Sequence, residues 1–291
     1  MAHAVRPLGR RRWRARSPHT APCRDEFRLP CAIASRLIGP AVPPDQAIVK
    51  APIRGVLFDK DGTLINYFAT WTPAYLAAAD EIARLAGEPA LAPKFLLHTG
   101  YDPVADTYVS DCALVSGTTA QIALMWQEIA PSLVTCDDLA ERIERIFHRV
   151  ATDNPIPITD LAGLFGRLRR SGLRLGVATN DSIATARATI DQLGLGPMVD
   201  FVAGYDSGYG PKPSTGMLEA FCRATGLASH EVAVVGDSPV DLNLARNGRA
   251  GMGIAVLSGV SPRAALEPLA DHIIADIREL EPLLERLLQR S

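Results

Sequence analysis

Arg54-Gly-Val-Leu-Phe-Asp-Lys-Asp-Gly-Thr-Leu-Ile-Asn66 runs an apolar stretch straight into two aspartates with one lysine between them. The apolar part, Ile53–Asp59, reads as a buried strand. Two carboxylates at its end repel each other and add nothing to a core, so another group has to compensate them. Working outward, Leu173–Thr179, Phe201–Tyr205, Val232–Gly236 and Gly253–Leu257 read as further strands, with His272–Ala275 a weaker sixth. Helical segments such as Ile183–Leu193, Thr215–Thr225 and Val240–Asn247 separate them, closed by Gly194, Gly226 and Gly248. This alternation predicts an α/β fold, a parallel sheet with helices on both faces. Ligands of such sheets collect beyond the carboxyl ends of the strands, where Asp59 and Asp61 fall.

The 291 residues, 47% hydrophobic and 21% charged, can bury a sizeable core and exclude a fibrous or disordered class. No apolar run approaches the roughly 18 residues of a membrane span. Five cysteines (Cys23, Cys31, Cys112, Cys136, Cys222) without C-x-x-C spacing argue for a reduced, cytoplasmic setting and against structural zinc. The net charge of −2 is unevenly spread. Residues 1–50 form a basic arm with the cluster Arg10-Arg11-Arg12-Trp13-Arg14, and the remainder is acidic. We expect this arm to be disordered, with Pro40, Pro43 and Pro44 as a linker. The acidic remainder argues against a nucleic-acid partner.

One interval breaks the rhythm. From Asn66 to Pro157 no convincing strand is legible, but three amphipathic helices are. The first is expected to have Thr72 as N-cap, Pro73 at its first position and Gly87 as its stop. The second runs from about Thr119 to Ala130, and the third places Leu139, Ile143, Ile146, Phe147 and Val150 on one face. Asn154-Pro-Ile-Pro157 reads as a return linker. The expected division is an α/β core of residues 51–65 and 158–291, with an inserted all-helical cap at 66–157.

The strand ends carry the chemistry. Asp59 can attack phosphorus and form an aspartyl-phosphate. Asp61, two residues on, can protonate the leaving alkoxide and later deprotonate water. Gly62 permits a sharp turn, and Thr63 is expected to bond it. Thr179 and the backbone N–H of Asn180 can donate to phosphoryl oxygens. Lys212, between Pro211 and Pro213, can neutralise Asp59 and the transferring group. Asp237 follows a strand, and Asp241 lies about one helical turn on. Carboxylates of Asp59 and Asp237 with the Asp61 carbonyl suit Mg²⁺, and Asp241 can support them from behind. Each feature alone also describes an ordinary turn or helix cap; their order along the chain gives them weight.

These motifs, Asp59-Lys-Asp-Gly-Thr-Leu64, Thr179-Asn180, Gly210-Pro211-Lys212 and Gly236-Asp237-Ser-Pro-Val-Asp241, resemble those of the haloacid dehalogenase superfamily. The resemblance spans roughly Ile53 to Leu284 and is strongest to phosphatases with a helical cap after the first motif, phosphoglycolate phosphatases among them. It implies a Rossmann-like core, Asp59 as nucleophile, Asp61 as acid/base and Mg²⁺ as cofactor. It further assigns Thr179 and Lys212 to the phosphoryl group and Asp237 to the metal. Lys60 departs from the pattern, standing where many relatives have an apolar residue; period-two alternation would turn it away from the metal side.

A dehalogenase expels halide without a proton, so Asp61 favours a phosphatase acting on a small phosphorylated metabolite. A phosphomutase shares the same motifs, and a non-catalytic binding protein of this fold would have lost one of the four charged residues. Substrate choice would lie in the cap, where His98, Tyr101 and Thr118 are the candidates.

Overall fold

The computed structural model describes residues 52–109 and 112–289. The basic arm, its arginine cluster and the proline linker lie outside them. The first strand, β1 (Gly55–Phe58), is followed by α1 (Tyr67–Leu85), α2 (Ala92–His98), a two-residue hairpin of β2 (Tyr101–Asp102) and β3 (Thr107–Tyr108), α3 (Ala113–Ser116), α4 (Thr119–Ile129) and α5 (Leu139–Asp153). The chain then alternates through α6 (Leu161–Arg170), β4 (Arg174–Ala178), α7 (Ile183–Gln192), β5 (Phe201–Ala203), α8 (Gly216–Thr225), β6 (Val232–Gly236) and α9 (Pro239–Asn247). It closes with β7 (Met252–Val256), α10 (Arg263–Leu266), β8 (His272–Ile274) and α11 (Leu280–Leu288).

All six expected strands form one parallel sheet in the order β5-β4-β1-β6-β7-β8. Side-chain alternation sorts it into two faces. Val56, Phe58, Val177 and Val235 pack against Leu164, Phe165, Leu280 and Leu284 of α6 and α11. Leu57, Ala178 and Val234 pack against Met217, Leu218, Phe221 and Leu244 of α8 and α9. Strand order reverses at β1, flanked by β4 and β6, so a crevice opens at its carboxyl end. The register sets Phe58 beside both Val177 and Val235. Asp59, Thr179 and Asp237 therefore emerge together at one edge.

The residues between β1 and β4 build their own apolar cluster, from Ala74 to Ala151, with Trp126, Phe95, Ile143 and Phe147 inside it. No strand of the large sheet contributes to it. The outgoing and returning chains run side by side, with Asn66 N–H donating to Ile156 O (2.7 Å) and Ile158 N–H to Leu64 O (3.0 Å).

Two local expectations are corrected. Helix α1 starts at Tyr67, with Asn66 as N-cap accepting from Ala69 N–H (2.9 Å), and Pro73 lies inside it rather than at its start. Tyr67, Trp71 and Tyr75, spaced four apart, form one packed aromatic row that carries the helix back past the proline. The β2–β3 hairpin stands where no strand was legible. Asp102 Oδ1 accepts from both Val104 and Ala105 N–H, closing the turn, and the Tyr101 and Tyr108 rings lie 4.5 Å apart across the pair.

Candidate active site

Asp59 continues β1 by one residue, its N–H bonded to Val235 O at 2.8 Å. Its carboxylate is buried, and Oδ1 accepts from Lys212 Nζ at 2.6 Å. The same ammonium donates to Asp241 Oδ1 at 2.5 Å. Asp59, Asp237 and Asp241 each offer an oxygen within 4.8 Å of the others, and all three are buried. With all three carboxylates ionised, one lysine would leave two negative charges uncompensated, so the buried cluster favours protonation. Burial, the largest cause, pushes Asp59 up to about 7; Lys212 pulls it back, and Asp241 and Asp61 push it further up. Burial, with Asp59 and Asp241 as neighbours, also raises Asp237 well above the usual carboxylate range. For Lys212, burial favours the neutral amine, but Asp241 and Asp59 outweigh it and leave the group raised.

Loops are fitted closely around this cluster. Asn180 on the β4–α7 turn clamps the Lys212 peptide from both sides: its Oδ1 accepts from Lys212 N–H (2.7 Å) and its Nδ2 donates to Lys212 O (3.0 Å). Sequence reasoning gave Asn180 only its backbone N–H, and missed the clamp because it joins residues 32 apart. Thr179 Oγ1 accepts from Asp181 N–H (3.1 Å), which leaves its own proton free to donate. Asp241 Oδ2 accepts from Ser238 N–H and Oγ, so it caps α9 while facing Lys212.

The β7–α10 loop also belongs to the site, a role the sequence reading did not give it. Val260 N–H donates to Asp237 Oδ2 (2.8 Å), and Ser258 Oγ to Gly62 O (2.7 Å). A Cβ on Gly259 would lie 1.9 Å from Asp237 Oδ2. At Gly62, with φ +78°, a Cβ would lie 2.6 Å from the same oxygen. Both positions require glycine. The signal available was Ser258-Gly259 just past a strand end. Thr63 corrects another expectation: it is fully buried, and its hydroxyl has no hydrogen-bond partner among the described residues, so it does not bond the turn.

Asp61 has its own partners at both carboxylate oxygens. Trp71 Nε1 on α1 donates to its Oδ1 at 2.7 Å, and the Lys60 ammonium lies 2.7 Å from its Oδ2. The three candidates farther along have other partners. His98 pairs with Glu128 on the surface (2.9 Å), Tyr101 donates to Asp106 (2.8 Å), and Thr118 forms a capping box with Gln121 at the start of α4. Trp71, not among those candidates, is the residue of the inserted segment that hydrogen-bonds Asp61. A lone tryptophan in a helix gave no sign of this.

Residues 53–249 match the family model of haloacid dehalogenase-like hydrolases. The chain belongs to that family, and it is an enzyme of its phosphatase branch. It is 32% identical over 232 residues to a phosphoglycolate phosphatase of Rhodospirillum rubrum, covering 75% of this chain and 86% of the relative. A phosphoglycolate phosphatase of Pectobacterium atrosepticum is 26% identical over 194 residues, covering 67% and 76%. In fold the chain is similar to a Thermotoga maritima protein assigned as a β-phosphoglucomutase, with TM-score 0.61 and 17% identity over 80% of this chain and 99% of that one. A Streptococcus pneumoniae hydrolase of the same family gives 0.53 and 18%, over 79% and 98%.

Proposed function

We propose that this enzyme is a Mg²⁺-dependent, cytoplasmic phosphatase that hydrolyses a small phosphomonoester of the 2-phosphoglycolate kind through an aspartyl-phosphate on Asp59. The observation that carries the reading is the buried cluster of three carboxylates around a single ammonium. Asp59 Oδ2 is buried without a hydrogen-bond partner among the described residues, beside a set of hard oxygen donors. These residues fit a divalent cation: Asp59 and Asp237 with the Asp61 carbonyl would hold it, and Asp241 would brace Lys212. Mg²⁺, when bound, offsets negative charge on Asp59 and on the phosphoryl oxygens.

The protein's own groups account for the rest. Lys212 fixes Asp59 Oδ1 and presents its charge to the incoming phosphoryl group. Thr179 Oγ and the Asn180 N–H donate to phosphoryl oxygens. As Asp59 attacks phosphorus the ester P–O bond breaks, and Asp61 gives its proton to the departing oxygen. Asp61 then takes a proton from the water that cleaves the aspartyl-phosphate. Residues 66–157 act as a cap on this edge of the core, residues 51–65 and 158–291, and exclude bulk water when closed.

The test is phosphate release from 2-phosphoglycolate, a nucleoside monophosphate and a sugar phosphate, each with Mg²⁺ and with EDTA, alongside Asp59→Asn. Metal-dependent release that Asp59→Asn abolishes is the expected result. Isomerisation of the sugar phosphate without release would replace this reading with that of a mutase.

A further inference from the structure

Lys60 is among the most buried side chains of the protein, 1% exposed, although its position after Asp59 in a strand-end loop gives it no evident reason to be. Burying an ammonium is costly unless it is paired. Its Nζ lies 2.7 Å from Asp61 Oδ2 and 3.1 Å from Asp181 Oδ2, the second an ion pair outside hydrogen-bond alignment. The Trp71 ring centroid is 5.6 Å away. Asp181 is itself held by its loop, its Oδ1 accepting from Ser182 N–H and its carbonyl from Tyr205 N–H. Lys60 therefore ties the loop after β1 to the loop after β4, and Asp61 is the residue it ties.

We propose that Lys60 is a positioning residue for proton transfer by Asp61, with Asp181 as the anchor that holds Lys60 in place. This rests on the assignment of Asp61 as acid/base made above. A carboxyl group two bonds from the backbone rotates freely unless both ends are held, and a misaimed acid transfers no proton. With Oδ2 committed to Lys60, the oxygen that hands over the proton is Oδ1. The Trp71 N–H donates to that oxygen here, so Asp61 must first take up a proton from solvent at Oδ1, displacing the indole N–H. In the step itself Asp59 bonds to phosphorus, the ester P–O bond breaks, and the Oδ1 proton goes to the ester oxygen. The negative charge left on Asp61 remains beside Lys60.

Leaving-group dependence tests this, because a good leaving group needs no proton. The full-length wild type, Lys60→Met and Asp61→Asn are compared on p-nitrophenyl phosphate and on 2-phosphoglycolate, or on whichever alkyl ester turns over. Lys60→Met should lower the single-turnover rate of alcohol release from the alkyl ester by about a hundredfold, the lower end of general-acid contributions, and change the burst of p-nitrophenol release, which precedes the water step shared by both esters, by no more than about threefold. Asp61→Asn should show the same selectivity in that first step at least as strongly, and should in addition slow the water step that both esters share. Should Lys60→Met fail to fold, Lys60→Met/Asp181→Asn removes the ammonium together with one of its carboxylates and should show the same pattern. Equal losses on both esters, or none, beside a selective loss in Asp61→Asn would overturn the role of Lys60 while leaving the phosphatase standing. A wild type that hydrolyses neither ester would instead overturn the phosphatase reading itself.

Discussion

Two lysines lie buried at the same edge of the sheet, each between two aspartates, yet their surroundings differ. Lys212 faces Asp59 and Asp241, and Asp237 stands nearby, so its cluster lacks positive charge. Lys60 faces Asp61 and Asp181, whose side chains keep 19% and 16% of their surface in solvent, and the Trp71 N–H adds a donor. For Lys60, as for Lys212, burial opposes the charged form and the two carboxylates outweigh it, so its pKa is raised. The first cluster is buried and holds two carboxylates more than ammonium groups, an excess that a divalent cation would offset on the proposed reading; the second holds one carboxylate in excess, eased by partial hydration and the Trp71 N–H. The two clusters differ in this balance more than in their residue types.

Lys212→Met would strain that comparison hardest. It leaves three buried carboxylates with no ammonium, so we expect kcat to fall by about a thousandfold, the upper range for losing one transition-state donor. The fold should lose about 3 kcal/mol, the lower range for breaking a buried pair, measured by denaturant unfolding in EDTA. Lys60→Met leaves partly hydrated carboxylates and should lose less. Excess Mg²⁺ should restore stability to Lys212→Met and not to Lys60→Met. Rescue of both alike would show that the two clusters are one.

A second expected result follows from the protonation of Asp59. Its pKa in the fold, about 7, lies above the ordinary 3.8, so the folded chain holds this proton more tightly than the unfolded chain. The stabilisation is fully present below the unfolded value and is lost as pH rises through the folded one, across about pH 4 to 7. In EDTA the protein should therefore melt lower at about pH 8 than this cluster allows at about pH 5. Mg²⁺ stabilises by an amount that grows with occupancy, about 2.7 kcal/mol at a hundredfold its Kd, and needs the ionised cluster. The rise in melting temperature on adding Mg²⁺ should thus be larger at the higher pH. Equal rises at both would mean the cation binds elsewhere.

The sequence made the first cluster legible and left the second obscure, for physical reasons. Asp59, Thr179 and Asp237 each follow a strand end, Lys212 lies on the loop between β5 and α8, and a parallel sheet gathers strand ends at one edge, so one-dimensional order predicts three-dimensional proximity. All six strands were legible because each is a short apolar run bounded by turn residues. Lys60 was legible only as a departure. Alternation suggested only that it points away from the metal side, and nothing local announces that Asp181 waits 121 positions along the chain to receive it. Pro73 misled because proline usually opens a helix, and here the packing of Tyr67, Trp71 and Tyr75 overrides that preference. His98, Tyr101 and Thr118 were chosen as polar residues of segments that could meet a substrate, and each finds its partner within the inserted segment.

Trp71 offers the finest probe of the difference, because it joins the inserted helices to the Lys60 cluster and to Asp61 alone among the motif acids. Trp71→Phe keeps an aromatic ring against Tyr75 and Phe147 but removes the indole N–H. A hydrogen bond to a charged group contributes about 1.5–3 kcal/mol, and water that reaches this partly exposed carboxylate replaces much of it. We expect a stability loss near 1 kcal/mol, read by denaturant unfolding, and a change in kcat below about tenfold. The Mg²⁺-induced rise in melting temperature should stay as in the wild type, because the indole N–H is bonded to Asp61 and not to the carboxylates of the first cluster. A diminished rise would mean that the inserted helices set the metal cluster as well as the acid, and the two lysines would then answer to one conformational change rather than two.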